Sequence, residues 1–309
     1  NQSRFDDTVQ DDFKRIPGST IAYWLSARMM SSFRDHKSLS EMALTKEGLN
    51  TTDNERFLRR WWECNVSSTN LCSPSGEYAV LTGAKWFPCQ KGGSYRKWFG
   101  NNEYVVNWSA NGEEIKATVI QQYGSASKRV VNEHLYFREG LSWSAVSSSK
   151  FAMRYVPQGH IFETAGSMCF FKYSHDQFAV LALCNSCLVE PLLQCLSPTL
   201  SFKPGPVGKI PVATTADAVF VDSSQVAIHL SRIDWDSFER SWDFQSLPIF
   251  NATSQSSKTL ESSYTAWISQ NQATIADMKR LEEENNRIFI DAYGLADELM
   301  SDVPIEQIT

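Results

Sequence analysis

The sequence predicts an α+β chain, a β-rich domain followed by a helical C-terminal segment, and three observations carry that prediction. Between about 41 and 210, aromatic and aliphatic residues alternate with small polar ones, as in "LSWSAVSSSKFAMRYVPQGHIFETAGSMCFF", which is the period-2 texture of half-buried strands. Turn chemistry punctuates that region at Asn111-Gly112, a pair suited to the positive φ of tight turns. From about 255 onward the pattern changes. Tyr264, Trp267, Ile275, Met278, Leu281, Ile288, Ala292, Leu295 and Leu299 recur at helical spacing, with "KRLEEENNR" on the wet face, so the last fifty residues are predicted helical. At 309 residues and 42% hydrophobic content the chain can bury a real core.

In chain order, Pro17-Gly18 breaks the backbone ahead of "IAYWLSARMMSSF", which reads as a strand and then a short helix. Residues 1–40 thus read as a connection from a preceding part, residues 41–250 as the β-rich domain and 251–309 as the helical segment. "EYVVNW" followed by "SANGEEIKA" predicts a hairpin. Residues 176–196 are predicted to form one apolar helix. Pro198, Pro204, Pro206 and Pro211, with Gly205 and Gly208, predict a surface loop without regular structure. A second helical patch is expected over 222–231, then the acidic, aromatic "RIDWDSFERSWDF". The chain shows no internal repeat.

Composition excludes several functions. No run approaches the roughly 18–20 apolar residues of a membrane span, and the N-terminus lacks a signal-peptide pattern. The seven scattered cysteines read as reduced, and the expected location is cytoplasmic. Cys184 and Cys187 have zinc-pair spacing, with Cys195 beyond, but they sit within an apolar run where cysteine acts as a small hydrophobe, and no metal is expected. "KGGSYRKW" lacks the P-loop ending, "ETAGSM" is no nucleophile elbow, and the five histidines form no metal-spaced pair. No catalytic residue is expected. The net charge of −6 argues against nucleic acid until its distribution is read. Residues 81–160 hold ten Lys and Arg against five Asp and Glu, a net of +5, whereas 232–309 hold six against fourteen, a net of −8. A phosphate backbone responds to the local field of the basic middle.

The basic middle mixes rings, cations and amides at close quarters. "GLNTTDNERFLRRWW" places Thr52 and Asn54 at a loop or helix cap, with Arg56, Arg59 and Arg60 just behind. A cap accounts for the polar residues but not for the arginines. "KWFPCQKGGSYRKWFGNN" adds Lys85, Lys91, Gly92, Gly93, Arg96, Lys97, Asn101 and Asn102. Cations neutralise phosphates, and Asn can pair bidentately with adenine. Ser144, Ser147 and Lys150 complete the candidate DNA-binding set. The expectation is a DNA-facing loop over 85–102, its backbone brought close to phosphate at Gly92 and Gly93 and anchored to the core by Trp98 and Phe99. A solvated basic face is the competing reading for any single residue.

"GLNTTDNERFLRRWWE", "KWFPCQKGGSYRKWFGNNEYVVNW", "LSWSAVSSSKFAMRYVPQGHIFETAGSM", "LSPTLSFKPGPVGKIPV" and "IDWDSFERSWDF", in this order and spanning about 16–300, resemble successive blocks of the PglX-type adenine-specific DNA methyltransferases of BREX phage-defence systems. The family's Asn/Asp-Pro-Pro-Tyr/Phe tetrapeptide and its glycine-containing S-adenosylmethionine site are both missing, and no Pro-Pro pair occurs in the chain. The resemblance therefore implies the part C-terminal to the catalytic domain. Residues 1–40 would connect to that domain, 41–250 would be the target recognition domain, and 251–309 the helical segment. It implies duplex DNA as partner, other defence-system proteins as further partners, and S-adenosyl-L-methionine as the cofactor of the full-length enzyme but of no site here. Division of labour makes physical sense, because extruding one base from a duplex at one sequence requires a second surface that fixes register on its neighbours. The alternative is a protein–protein interaction module of a defence complex, docking through its acidic C-terminal part without direct DNA readout.

Overall fold

A computed structural model describes residues 16–17, 24–147, 150–197, 199–213, 218–252 and 259–309. The strand expected ahead of the first helix falls largely outside the described residues, as does Pro198. Helix α1 (Ala27–Asp35) starts where the Ser26 hydroxyl accepts from the Met29 N–H at 3.1 Å, and it buries Met29 and Met30. It leads into β1 (Lys37–Ser38), α2 (Leu39–Met42) and β2 (Ala43–Lys46). Asp53 caps α3 (Asn54–Phe57) by accepting from the Arg56 N–H at 3.0 Å, and β3 (Leu58–Arg60) comes directly after it. Next come α4 (Gly76–Thr82), β4 (Trp86–Gln90), β5 (Tyr104–Asn107), α5 (Ser109–Tyr123), β6 (Gly140–Trp143), β7 (Met153–Val156), β8 (Ile161–Phe162) and β9 (Met168–Phe171). The remainder is mostly helical, with α6 (Ser174–Cys184), α7 (Val189–Leu196), α8 (Pro204–Val207), β10 (Pro211–Val212), α9 (Ala218–Asp236), α10 (Pro248–Asn251) and the long α11 (Leu260–Ala292).

Three small sheets organise the chain. One runs β2-β9-β6-β7 and is antiparallel throughout; a second runs β3-β5-β4-β8, parallel only between β4 and β8; β1 and β10 form a third. Alternation along β9 shows how the first sheet is used. Met168 and Phe170 point into a core with Phe57, Phe87, Trp108, Ile115 and Phe162, while Cys169 points into a core with Trp143, Leu181, Leu192, Met278 and Phe289. Side chains of neighbouring strand residues leave opposite faces, so this sheet is a wall between two cores. The second sheet closes one core, and α6, α7 and α11 close the other. This mixed α+β architecture, with β2 to β9 all between 43 and 171, is the predicted class.

Four sequence expectations are corrected. Asn111-Gly112 does not turn a hairpin: Ala110, Asn111 and Gly112 all take positive φ (47°, 59° and 71°), and the chain then continues as α5. Ile115 and Val119, one turn apart, are fully buried in the second sheet's core, and a helical stripe overrides the turn pair. The apolar run over 176–196 breaks into α6 and α7, bent by 86°. Asn185 makes the break by acting as a strand partner: its Oδ1 accepts from the Met153 N–H and its Nδ2 donates to the Met153 carbonyl, each at 3.0 Å. The proline-rich segment holds one helical turn, started by Pro204, and a two-residue strand paired to β1. Finally, α11 ends at Ala292 and the tail folds back, Thr309 Oγ1 accepting from the Lys97 N–H at 2.9 Å. The 222–231 patch is the middle of the longer α9.

Candidate nucleic-acid interface

The exposed cations of the second sheet lie on two of its sides. Leu58, Val106 and Phe87 are cross-strand neighbours and face the core. One residue along, Arg59 therefore emerges on the opposite face, as does Trp86, and the guanidinium lies 6.0 Å from the Trp86 ring. Lys85 lies over the same ring at 5.3 Å. Arg59 also donates to its own strand's Leu58 carbonyl at 2.7 Å and to the Glu55 carbonyl. Arg60, paired across the strands with Tyr104, sits where the core face runs out at the sheet's end. Its guanidinium stacks 5.5 Å from Tyr104 and 5.2 Å from the half-exposed Trp62, and it pairs with Glu103 at 2.9 Å. Arg56 reaches α5 to pair with Glu114 at 2.5 Å, and this holds the Glu114 carboxyl below the usual carboxylate range. Rings lie within 4.8–6.0 Å of these arginine head groups, which stay partly exposed, so a cation can meet phosphate or stack on a base.

The 91–102 loop is turned inward instead, correcting the expectation of a surface loop. Arg96, Lys97, Trp98, Phe99, Asn101 and Asn102 are all buried. Lys97 Nζ donates to Glu282 Oε2 at 2.7 Å and Trp98 Nε1 to Glu282 Oε1 at 2.8 Å, so one α11 carboxylate holds two adjacent loop residues. Arg96 pairs with Asp234 of α9 and lies 5.2 Å from the Trp235 ring, while its Nε donates to the Phe99 carbonyl at 3.0 Å. Asn101 Nδ2 donates to the Ser94 carbonyl at 2.9 Å, and Asn102 Oδ1 accepts from Gln90 at 2.8 Å. Nor do the glycines leave room for phosphate. A Cβ on Gly92 would stand 2.7 Å from the Ala165 carbonyl oxygen, and one on Gly93 would stand 2.8 Å from the Asn101 amide, so the close approach they permit is to the protein itself. Trp98 and Phe99, each 2% exposed, are the anchors the sequence indicated.

The other candidates are dispersed. Lys91 pairs at 2.8 Å with the buried Glu163. Thr52 has a positive φ of 62° and donates its N–H to Asn50 at 2.9 Å, while exposed Asn54 accepts from Thr51 at 2.5 Å. Ser144 donates to the Gly93 carbonyl at 2.9 Å, the Ser147 N–H donates to the Leu200 carbonyl at 3.2 Å, and Lys150 pairs with Glu190 at 3.2 Å. The fold thus places Arg59 and Lys85 around Trp86 on one face of the second sheet and Arg60 at the sheet's end, and separates all three from Arg96 and Lys97.

Sequence reasoning missed Arg240, Trp235, Arg154 and the carboxylates that fix the loop. Arg240 lies 4.3 Å from the Trp235 ring, and its carbonyl accepts from Trp61 at 2.8 Å, which ties the end of α9 to the arginine-rich segment. The acidic, aromatic wording of "RIDWDSFERSWDF" was the available signal. Cys184 and Cys195 are buried in the core beside α6 and α7, and desolvation raises both thiols. Among the described residues, no three His, Cys, Asp or Glu side chains gather as a metal site, and no single helix is long and apolar enough to cross a membrane.

The chain is thus a mixed α+β segment whose second sheet carries arginines held against aromatic rings. Comparison with known proteins shows that the chain is homologous to a segment of adenine-specific methyltransferases. It is 36% identical over 299 residues to adenine-specific methyltransferase PglX of Lacticaseibacillus casei (strain Zhang), covering 94% of this chain and 24% of that protein. It is 33% identical over 293 residues to adenine-specific methyltransferase BrxX of Escherichia coli O9:H4 (strain HS), covering 94% of this chain and 22% of that protein. The chain spans about a quarter of the length of these curated relatives. No family model matches it.

Proposed function

We propose that this chain is the DNA target recognition region of an adenine-specific N6 DNA methyltransferase acting in phage defence, and that it binds duplex DNA and reads the methylated site. The observation that carries the reading is the second sheet's surface, where Arg59, Arg60 and Lys85 are held over Trp86, Tyr104 and Trp62. Such groups supply salt-sensitive phosphate affinity and a fork that pairs with guanine edges. Homology to methyltransferases supports duplex DNA as the partner and S-adenosyl-L-methionine as the cofactor of the full-length enzyme. The buried cations, Arg96 and Lys97, then tie their loop to α9 and α11 and are not DNA contacts. In this reading the protein works in the cytoplasm, where phage DNA enters.

A segment exchange tests it. Replacing this region in one PglX-type methyltransferase by the corresponding region of a relative with a different site, followed by methylome sequencing, is expected to transfer the methylated motif with the segment. An unchanged motif would favour the second reading, a docking module for other defence proteins. The acidic stretch from 232 to 309, with fourteen carboxylates against six cations, is what favours that alternative.

A further inference from the structure

Arg154, on β7, is 1% exposed, and its one side-chain hydrogen bond among the described residues runs from Nη1 to the Arg96 carbonyl at 3.3 Å. Its Nε and Nη2 have no partner among those residues. Those two nitrogens form one edge of the guanidinium, the edge that grips carboxylates and phosphates. The same edge of Arg34 shows its ordinary use in this chain, donating to the two Asp35 oxygens at 2.7 and 3.1 Å. Arg154 faces no such acid among the described residues. The nearest charge acting on it is another cation, Arg96, whose carboxylate partner is Asp234.

Arg154 also borders a pocket. Arg154 lines a narrow cavity of about 10 Å³ with Ser94, Tyr95, Ser144 and Lys150, and no carboxylate of the described residues lines it. Glu282 is committed to Lys97 and Trp98, and Glu190 pairs with Lys150, whose side chain is 44% exposed. A buried cation with an unpaired edge is costly, and the cost is removed by an anion that accepts both N–H groups. The space holds about one oxygen atom, so the ligand presents a single oxygen to Arg154 and keeps its bulk outside.

We propose that this pocket binds a phosphate oxyanion, with Arg154 at its base and Lys150, Ser94 and Tyr95 as donors around it. The phosphate is either a phosphodiester of the duplex or free phosphate. The first source rests on the DNA reading above, and the second does not. Calorimetric titration of the intact protein with inorganic phosphate, against potassium chloride at matched ionic strength, is expected to give one millimolar site per chain. Arg154→Met is expected to weaken it at least tenfold. Lys150→Gln is expected to weaken it about threefold and serves if Arg154→Met fails to fold. No phosphate heat beyond the chloride control, or full binding retained in the folded variants, overturns the proposal. A second arm measures a short duplex. Duplex affinity lost together with phosphate binding assigns the pocket to a DNA phosphodiester. Unchanged duplex affinity alongside lost phosphate binding assigns it to free phosphate and leaves the DNA reading standing.

Discussion

Glu282 of α11 is 1% exposed and accepts from both Lys97 and Trp98. Removing one side of a buried, hydrogen-bonded ion pair strands the other charge, typically at about 3–5 kcal/mol. Glu282→Ala is therefore expected to lose about that much in urea unfolding, and Lys97→Met combined with Glu282→Leu to recover a large part of it. Two effects of equal size that simply add would show the pair is not coupled. The pairing was illegible in the sequence because Glu282 lies 185 positions from Lys97, and Asp234 lies 138 from Arg96. Lys and Arg are rarely buried, so the loop cations read as surface. His160 carries a second prediction. Its ring is buried, Nδ1 lies 3.1 Å from the Pro157 carbonyl, Nε2 has no partner among the described residues, and burial pushes its pKa down from 6.5 to about 4. The unfolded chain then binds the extra proton between pH 6.5 and 4, so this histidine's contribution to stability is complete above pH 6.5 and is lost as pH falls toward 4. Over that window it amounts to about 3 kcal/mol. His160→Phe is expected to flatten the acid limb of a stability–pH curve, and an unchanged limb would contradict the assignment.

At the scale of the element, local periodicity and local turn chemistry competed, and packing decided between them. The α11 helix was legible because Met278, Ile288 and their neighbours repeat over many turns, but its buried face was not: Phe289 and Ile290 are buried beside Met278, whereas Tyr264 and Ile275 of the predicted stripe are exposed. Asn111-Gly112 correctly marked positive φ, but no hairpin forms there, and burial of Ile115 and Val119 made the next segment a helix. The α6–α7 break was illegible for a different reason. An apolar run says only that a segment is buried, and the bend depends on Asn185 meeting Met153 across the sequence. Asn185→Ala leaves the buried Met153 N–H without its partner, while the Met153 carbonyl keeps the Trp98 N–H. The expected outcome is a loss of about 1–3 kcal/mol by chemical denaturation together with faster amide exchange at Met153. Protection unchanged at that amide would place the bend's cause elsewhere.

Across the whole molecule, a sheet shared by two cores couples the basic middle to the acidic C-terminal part. Arg96–Asp234 and Lys97–Glu282 are the charges that join them. The opposite charges of the two regions were legible from composition, but their use was not. Part of the basic middle is neutralised internally, and of its exposed cations Lys85, Lys128, Arg138 and Lys150 it is Lys85 that joins Arg59 at the Trp86 ring, near Arg60 on β3. The most direct measurement is the salt dependence of duplex binding by the intact protein, wild type against Arg59→Ala/Arg60→Ala. The account predicts weaker binding and a log–log salt slope smaller by about 2, roughly one released counterion for each arginine. Unchanged affinity and unchanged slope would contradict it.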